Sequence, residues 1–288
     1  MQPLVDADVI RYELGFAAEV GWQGDGVPHF DYVEELINRL VDRLCVEVGA
    51  TAPPLFFFTG KTNFRNDIAK RQKYKDRAGI KPFHYYNITA YIKGKWEWRE
   101  QEGLEADDLM AIMQTQRDSE ISAGVVDSDG KPRIPTIICS RDKDLRGVNG
   151  WFYSWELANQ PSFGPDLCDD YGWIKLTEKR HPKDPIKIKG RGPKFFLAQC
   201  ITGDTVDTIP GLPKQGPVKA FNILEATTSY GEGLRAVLEA YRAVYGDDAE
   251  RELLEQARLL WMVKRVDEHG QPVMWDFPKP TMDVVIKQ

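Results

Sequence analysis

The most constraining feature is a short apolar run, APPLFFFTG at residues 52–60, bounded by prolines and a glycine. Such a run reads as a strand buried on both faces. Residues 30–49, just before it, carry Val33, Leu36, Ile37, Leu40, Val41, Leu44 and Val48 at helical period and stop at Gly49. Residues 3–10, PLVDADVI, open like another strand, with Leu4-Val5 ahead of acids. Strand, helix, strand predicts a parallel α/β unit. A third buried strand is expected at 136–139, also ending at acids.

The remaining chain reads mostly as helices. A polar, basic helix is expected at 63–79 and one with an acidic first turn at 103–116. Others are expected at 194–204, 217–226, 230–246 and 247–266, ahead of a loosely held tail. Residues 91–103, with Trp96 and Trp98 alternating with charges, read as a strand with one buried face, or else as a stacking platform for a single-stranded base. Residues 185–194, PIKIKGRGPK, read as a basic hairpin against a duplex backbone or as a plain surface loop. Proline, glycine and lysine accumulate at 164–194, which suggests two regions, 1–164 and 165–288.

Several function classes are excluded. The start of the chain has no basic region before its apolar residues, so no signal peptide is expected. No run reaches the about 18 apolar residues of a membrane span. The cysteines (Cys45, Cys139, Cys168, Cys200) are scattered and read as reduced, which points to the cytoplasm. The histidines are not spaced as zinc ligands. No Ser/His/Asp or Cys/His signature is present, and TGKTNF at 59–64 is not a phosphate-binding loop.

Four acidic clusters share one placement at the end or opening of an apolar element. They are Asp6 and Asp8; Glu105, Asp107 and Asp108; Asp142 and Asp144; and Asp204 and Asp207. Functional groups collect at the carboxyl ends of parallel strands. So many carboxylates converge only if cations neutralise them, and an all-oxygen set suits Mg²⁺ or Mn²⁺. Two such ions activate water and clamp a phosphate, which is phosphodiester chemistry. The net charge of −6 does not oppose a nucleic-acid substrate: acids outnumber Lys and Arg 44 to 38, and the clustered acids account for the excess. Glu105 and Asp108, three apart, share a helix face that Asp107 does not. Either Asp107 lies in the first turn, or Asp108 acts indirectly.

The ordered motifs VDAD, FRNDIAKRQKYKDR, EADD, SRDKD and GDTVDTIPGLPKQG resemble the 5′→3′ exonuclease and flap-endonuclease superfamily, and within it the small stand-alone exonucleases of podovirus-type bacteriophages. The resemblance runs over about residues 4–220. It implies an α/β metal-nuclease core with a central, mainly parallel sheet, a helical gateway at 63–79, and a duplex-gripping helix–turn–helix at 195–226. It implies that Asp6, Asp8, Glu105, Asp107, Asp108, Asp142, Asp144, Asp204 and Asp207 serve two Mg²⁺ or Mn²⁺ ions. Asp142 would stand between them, with Lys75 and Arg77 acting on the scissile phosphate. Arg65, Lys70, Arg71, Tyr74, Lys75 and Arg77 would contact DNA at the gateway. Gly211, Lys214, Gly216 and Lys219 would grip the duplex at the turn, with a bound K⁺. The implied activity is 5′→3′ removal of nucleotides from duplex DNA, with flap or primer-RNA cutting, in phage replication or DNA degradation in the host cytoplasm. The sequence departs from the family in having no Asp near Thr59 or Gly60 and in carrying Lys214 where a glycine is usual. Rival readings are a related metal-dependent ribonuclease, a phosphatase, and a DNA-binding module without catalysis.

Overall fold

A computed structural model describes residues 1–75, 79–157, 160–179, 181 and 183–278. The first half alternates strands and helices: β1 (Gln2–Asp6), α1 (Ala7–Gly21), α2 (Phe30–Glu47), β2 (Leu55–Asn63), α3 (Arg65–Ile68), α4 (Tyr85–Lys95), β3 (Trp98–Gly103), α5 (Ala106–Ser122) and β4 (Thr136–Cys139). There follow β5 (Gly150–Ser154), β6 (Phe163–Cys168), β7 (Trp173–Leu176), β8 (Ile188–Arg191), α6 (Gly192–Thr202), α7 (Pro217–Leu224), α8 (Tyr230–Tyr245) and α9 (Ala249–Leu260).

Six strands form one sheet in the order β3-β2-β1-β4-β5-β6. All neighbours pair in parallel except β6, which runs antiparallel on β5. The apolar runs alternate between two cores, as a strand's period of two requires. Val5, Phe56, Phe58, Ile137 and Cys139 face α1, α2 and α4. Leu4, Leu55, Phe57 and Ile138 face α5. A third cluster gathers α6, α7, α8 and α9 around Leu197, Tyr241 and Leu253. The α/β class and mainly parallel sheet read from the sequence are those of the structure.

Several elements differ from expectation. The strand at 3–10 stops at Asp6, whose carboxylate accepts the Asp8 and Val9 amides and so starts a helix. The basic stretch is not a long helix. Asn63 still pairs with Gly103, which prolongs β2, and among the described residues of the stretch only Arg65–Ile68 (α3) are helical. Beyond it, the Lys70 and Arg71 amides both bind the Glu255 carboxylate at 2.9 Å. Residues 91–95 belong to α4, and β3 is an exposed edge strand without a buried face. Lys93 lies over the Trp98 ring there, which blunts the edge. The 185–194 stretch supplies β8 of a hairpin with β7. β6 crosses the expected boundary at residue 164, so the first sheet extends to Cys168. The last long helix ends at Leu260, not 266.

Candidate active site

β1 and β4 are neighbours, so their carboxyl ends deliver two acidic clusters to one place. Asp6 ends β1, and its second oxygen accepts the Ser140 hydroxyl at 2.7 Å. Ser140 Oγ accepts the Asp142 amide, and Asp142 Oδ1 accepts the Asp144 amide at 2.8 Å. This relay of short turns fixes three carboxylates on one edge. α5 points its N-terminus at the same edge, with Glu105 as its cap. The result is a cleft of about 380 Å³ lined by Asp6, Asp8, Glu105, Asp107, Asp142 and Lys75.

The cleft holds more negative charge than its own cations neutralise. Burial, followed by repulsion from Asp8, pushes the Asp6 carboxyl up to about 7. Burial and the facing Asp142 and Asp6 push Asp107 well above the carboxylate range. One oxygen of Asp107 is buried with no hydrogen-bond partner among the described residues. An unpartnered, desolvated carboxylate oxygen fits a hard cation.

A second group adjoins the first. Asp144, Asp204 and Asp207 bring ligand oxygens within 4.8 Å of one another. The loop carrying the last two is closed by a two-way backbone pair between Asp204 and Ile209, at 2.8 and 2.7 Å. Gly203 and Gly211 sit back to back there, at φ +67° and +64°. A Cβ on Gly211 would fall 2.3 Å from the Gly203 nitrogen, so the loop requires glycine. Burial, Asp142 and Asp204 push Asp144 up to about 8. Burial, reinforced by Asp142 and Asp204, also raises Asp207. Burial opposes ionisation of Asp204, but Lys143 overrides it and holds that carboxyl low. Asp142 thus repels members of both groups and stands between them.

Lys75 bridges the groups from the rim. Its ammonium lies 2.5 Å from Glu105 and 3.8 Å from Asp207, and its amide donates to the Asp207 carbonyl at 3.1 Å. Burial would lower its basicity, yet Glu105, Tyr74 and Asp207 raise it well above the usual lysine value. Its backbone is left-handed, at φ +47°.

Several sequence-predicted roles change. Arg65 cannot contact DNA. It is fully buried, grips both Asp108 oxygens at 2.6 and 2.8 Å, and donates to Glu105 and to the carbonyls of Leu259 and Trp261. Asp108 is therefore no metal ligand: its oxygens serve Arg65, the Val263 amide and the Glu105 amide. Asp107 lies in the first turn and Asp108 acts indirectly, so both branches left open by the spacing hold. Tyr74 does not lie on the surface either. It is buried, and its hydroxyl donates to Glu105 at 2.9 Å. Glu105 is engaged by Arg65, Lys75 and Tyr74, so it is a positioning group before a ligand. Arg71 faces Glu252 and the Tyr245 ring, whereas Lys70 is exposed. Arg77 lies outside the described residues.

Asp8 reaches β2 at Thr59, where that strand carries no acid of its own. It accepts the Thr59 amide at 3.2 Å and pairs with Arg11. Lys214 adopts φ +60°, a left-handed conformation that favours glycine. Lys214, Gly216 and Lys219 are exposed on the turn and α7, and Gly211 is buried. Sequence reading missed Ser140, Lys143 and Gln199, which touch the acids directly. Lys143 had a signal, since it stands inside DKD itself.

No known protein-family profile matches the chain, and no curated protein does. Among solved structures it is similar to the T5 5′-exonuclease, at 16% identity and TM-score 0.46 over 90% of this chain and 99% of that one. It is also similar to the bacteriophage T5 flap endonuclease in a pseudo-enzyme-product complex with DNA and metal ions, at 16% identity and TM-score 0.49 over 90% and 98%. A third is the catalytic core of Rad2 in complex with DNA substrate, at 12% identity and TM-score 0.42 over 86% and 66%. No helix among the described residues is long and apolar enough to cross a membrane.

Proposed function

We propose that this chain is a divalent-metal-dependent nuclease that degrades duplex DNA from its 5′ end. The carrying observation is the pair of acid groups joined at Asp142, one of which holds the buried, unpartnered oxygen of Asp107. Asp6, Asp107 and Asp142, with Asp8 in support, are assigned to one ion, and Asp144, Asp204 and Asp207 to another. Mg²⁺ or Mn²⁺ held there supplies the positive charge that activates water and stabilises charge developing on the phosphate.

The chain's own groups do the rest. Lys75 offers a rim ammonium to a phosphate oxygen, and Glu105 and Asp207 aim it. Tyr74 and Arg65 keep Glu105 ionised and oriented. Ser140 sets the spacing of Asp6 and Asp142. The α6–turn–α7 unit serves as the helix–turn–helix that grips the duplex backbone. Lys214 and Lys219 supply sequence-independent charge and Gly216 an open approach to the α7 N-terminus, with K⁺ at the turn. Cutting of 5′ flaps or primer RNA belongs to the same reading, as does a part in phage DNA replication in the host cytoplasm.

The test is a duplex labelled separately at its 5′ and 3′ ends. The expected result is small products from the 5′ label in Mg²⁺, abolished by EDTA and by Asp142→Asn. Tight binding without cleavage in Mg²⁺ or Mn²⁺ would instead identify a binding module. Cleavage unaffected by Asp142→Asn would refute the site.

A further inference from the structure

The two acid groups differ in how their charge is met. In the cleft, Asp107 has no partner for one oxygen, and Lys75 is committed to Glu105. In the second group a side chain already sits where a cation would. The Lys143 ammonium lies 2.8 Å from Asp144 Oδ1 and contacts Asp204 Oδ2 directly. These are two of the three carboxylates whose ligand oxygens converge within 4.8 Å.

Neighbouring amides also bind the same two acids. The Gln199 amide takes the same Asp144 oxygen, and the Val206 amide takes the other oxygen of Asp204. A divalent ion bridging Asp144 Oδ1 and Asp204 Oδ2 meets the ammonium first. The Lys143 backbone is pinned between Asp142 and Asp144, which flank it in the turn that Ser140 Oγ and Asp142 Oδ1 tie down. Its side chain is 51% exposed, so the four-carbon stem is free to swing into solvent.

From this we infer that Lys143 is a resident counter-ion of the second acid group, held by Asp144 and Asp204 until a divalent ion displaces its ammonium. The inference rests on reading the two groups as metal sites. It predicts ordered loading. The cleft fills first, because no ammonium has to leave. The second group fills at higher metal concentration, because ion entry and lysine release are one exchange.

The test measures Mn²⁺ binding to the full chain by calorimetry and by electron paramagnetic resonance of free Mn²⁺, together with the melting temperature in EDTA. Wild type is expected to show one tighter and one weaker ion. Lys143→Met is expected to tighten the weaker ion by at least about tenfold, since a like charge within contact distance is removed. The same variant is expected to melt lower in EDTA, because the ammonium contact that ties Asp144 to Asp204 is lost. Lys143→Arg keeps the charge and is expected to restore both values. An unchanged weaker constant with an unchanged melting temperature in Lys143→Met would overturn the counter-ion role. Absence of Mn²⁺ binding in wild type and variant alike would instead overturn the metal-site reading itself. Lys143→Gln repeats the comparison with a polar side chain, so a misfolded methionine variant does not decide the matter.

Discussion

Arg65→Ala distinguishes a buried anchor from a DNA-contacting gateway residue. The guanidinium is wholly buried and holds Asp108 through both oxygens, with further bonds to Glu105, Leu259 O and Trp261 O. Removing it leaves Asp108 buried and uncompensated, which costs about 3–5 kcal/mol. The two orphaned carbonyls oppose refolding further, so the lower bound is the safe one. At about 2 °C per kcal/mol for a chain of this size, the melting temperature should fall by at least about 6 °C. Calorimetry in EDTA, without DNA, reads this directly. Arg65→Lys should lie between, because one ammonium cannot replace a two-pronged fork. A wild-type melting temperature accompanied by weakened DNA binding would refute the anchor and return Arg65 to the substrate surface.

Three other outcomes are expected. Asp107→Asn removes a carboxyl whose ionisation burial and the facing Asp142 and Asp6 oppose, so the chelated protein should melt higher at alkaline pH while cleavage falls by at least about a hundredfold. Asp6, raised to about 7, and Asp144, raised to about 8, bind protons more tightly folded than unfolded. Metal-free stability should therefore be greatest near pH 4 and be lost as pH rises through 8, and saturating Mn²⁺ should abolish that slope. Glu105 and Asp204, held low, act with the opposite sign and only below about pH 4. Denaturation curves at pH 5 and 8, with and without Mn²⁺, check this, and a flat metal-free profile would contradict it. Lys75→Ala should lower the cleavage rate about a hundredfold yet leave Mn²⁺ affinity within a fewfold, as single-turnover kinetics and titration will read.

The sequence disclosed the parts governed by local rules. β1, β2 and β4 were legible because a strand buried on both faces must be an apolar run. The acids were legible because strand ends are where a parallel sheet collects function. α1 was missed because the Asp6 carboxylate reads equally as a site acid and as a helix cap. The 63–79 stretch misled because its composition is helical while its conformation is set from far away. Gly103 pairs with Asn63, Glu255 holds two amides, and the Asp207 carbonyl holds a third. Arg65 looked like a surface charge for the same reason, since its four partners lie 40 to 196 residues away.

That separation also bears on when the proposed site becomes complete during synthesis of the chain. The anchor of Glu105 is incomplete until Leu259 and Trp261 have been added and α9 has docked. Its acids come from four stretches of chain that end at Asp207. A nascent chain thus carries the acids of the proposed site long before it can hold them in register. A chain truncated before Leu259 is expected to stay silent toward DNA, although every acid assigned to an ion is present. Under the proposed nuclease reading, the site is complete only once α9 is made, so nucleic acid close to the ribosome is not expected to meet a half-built one.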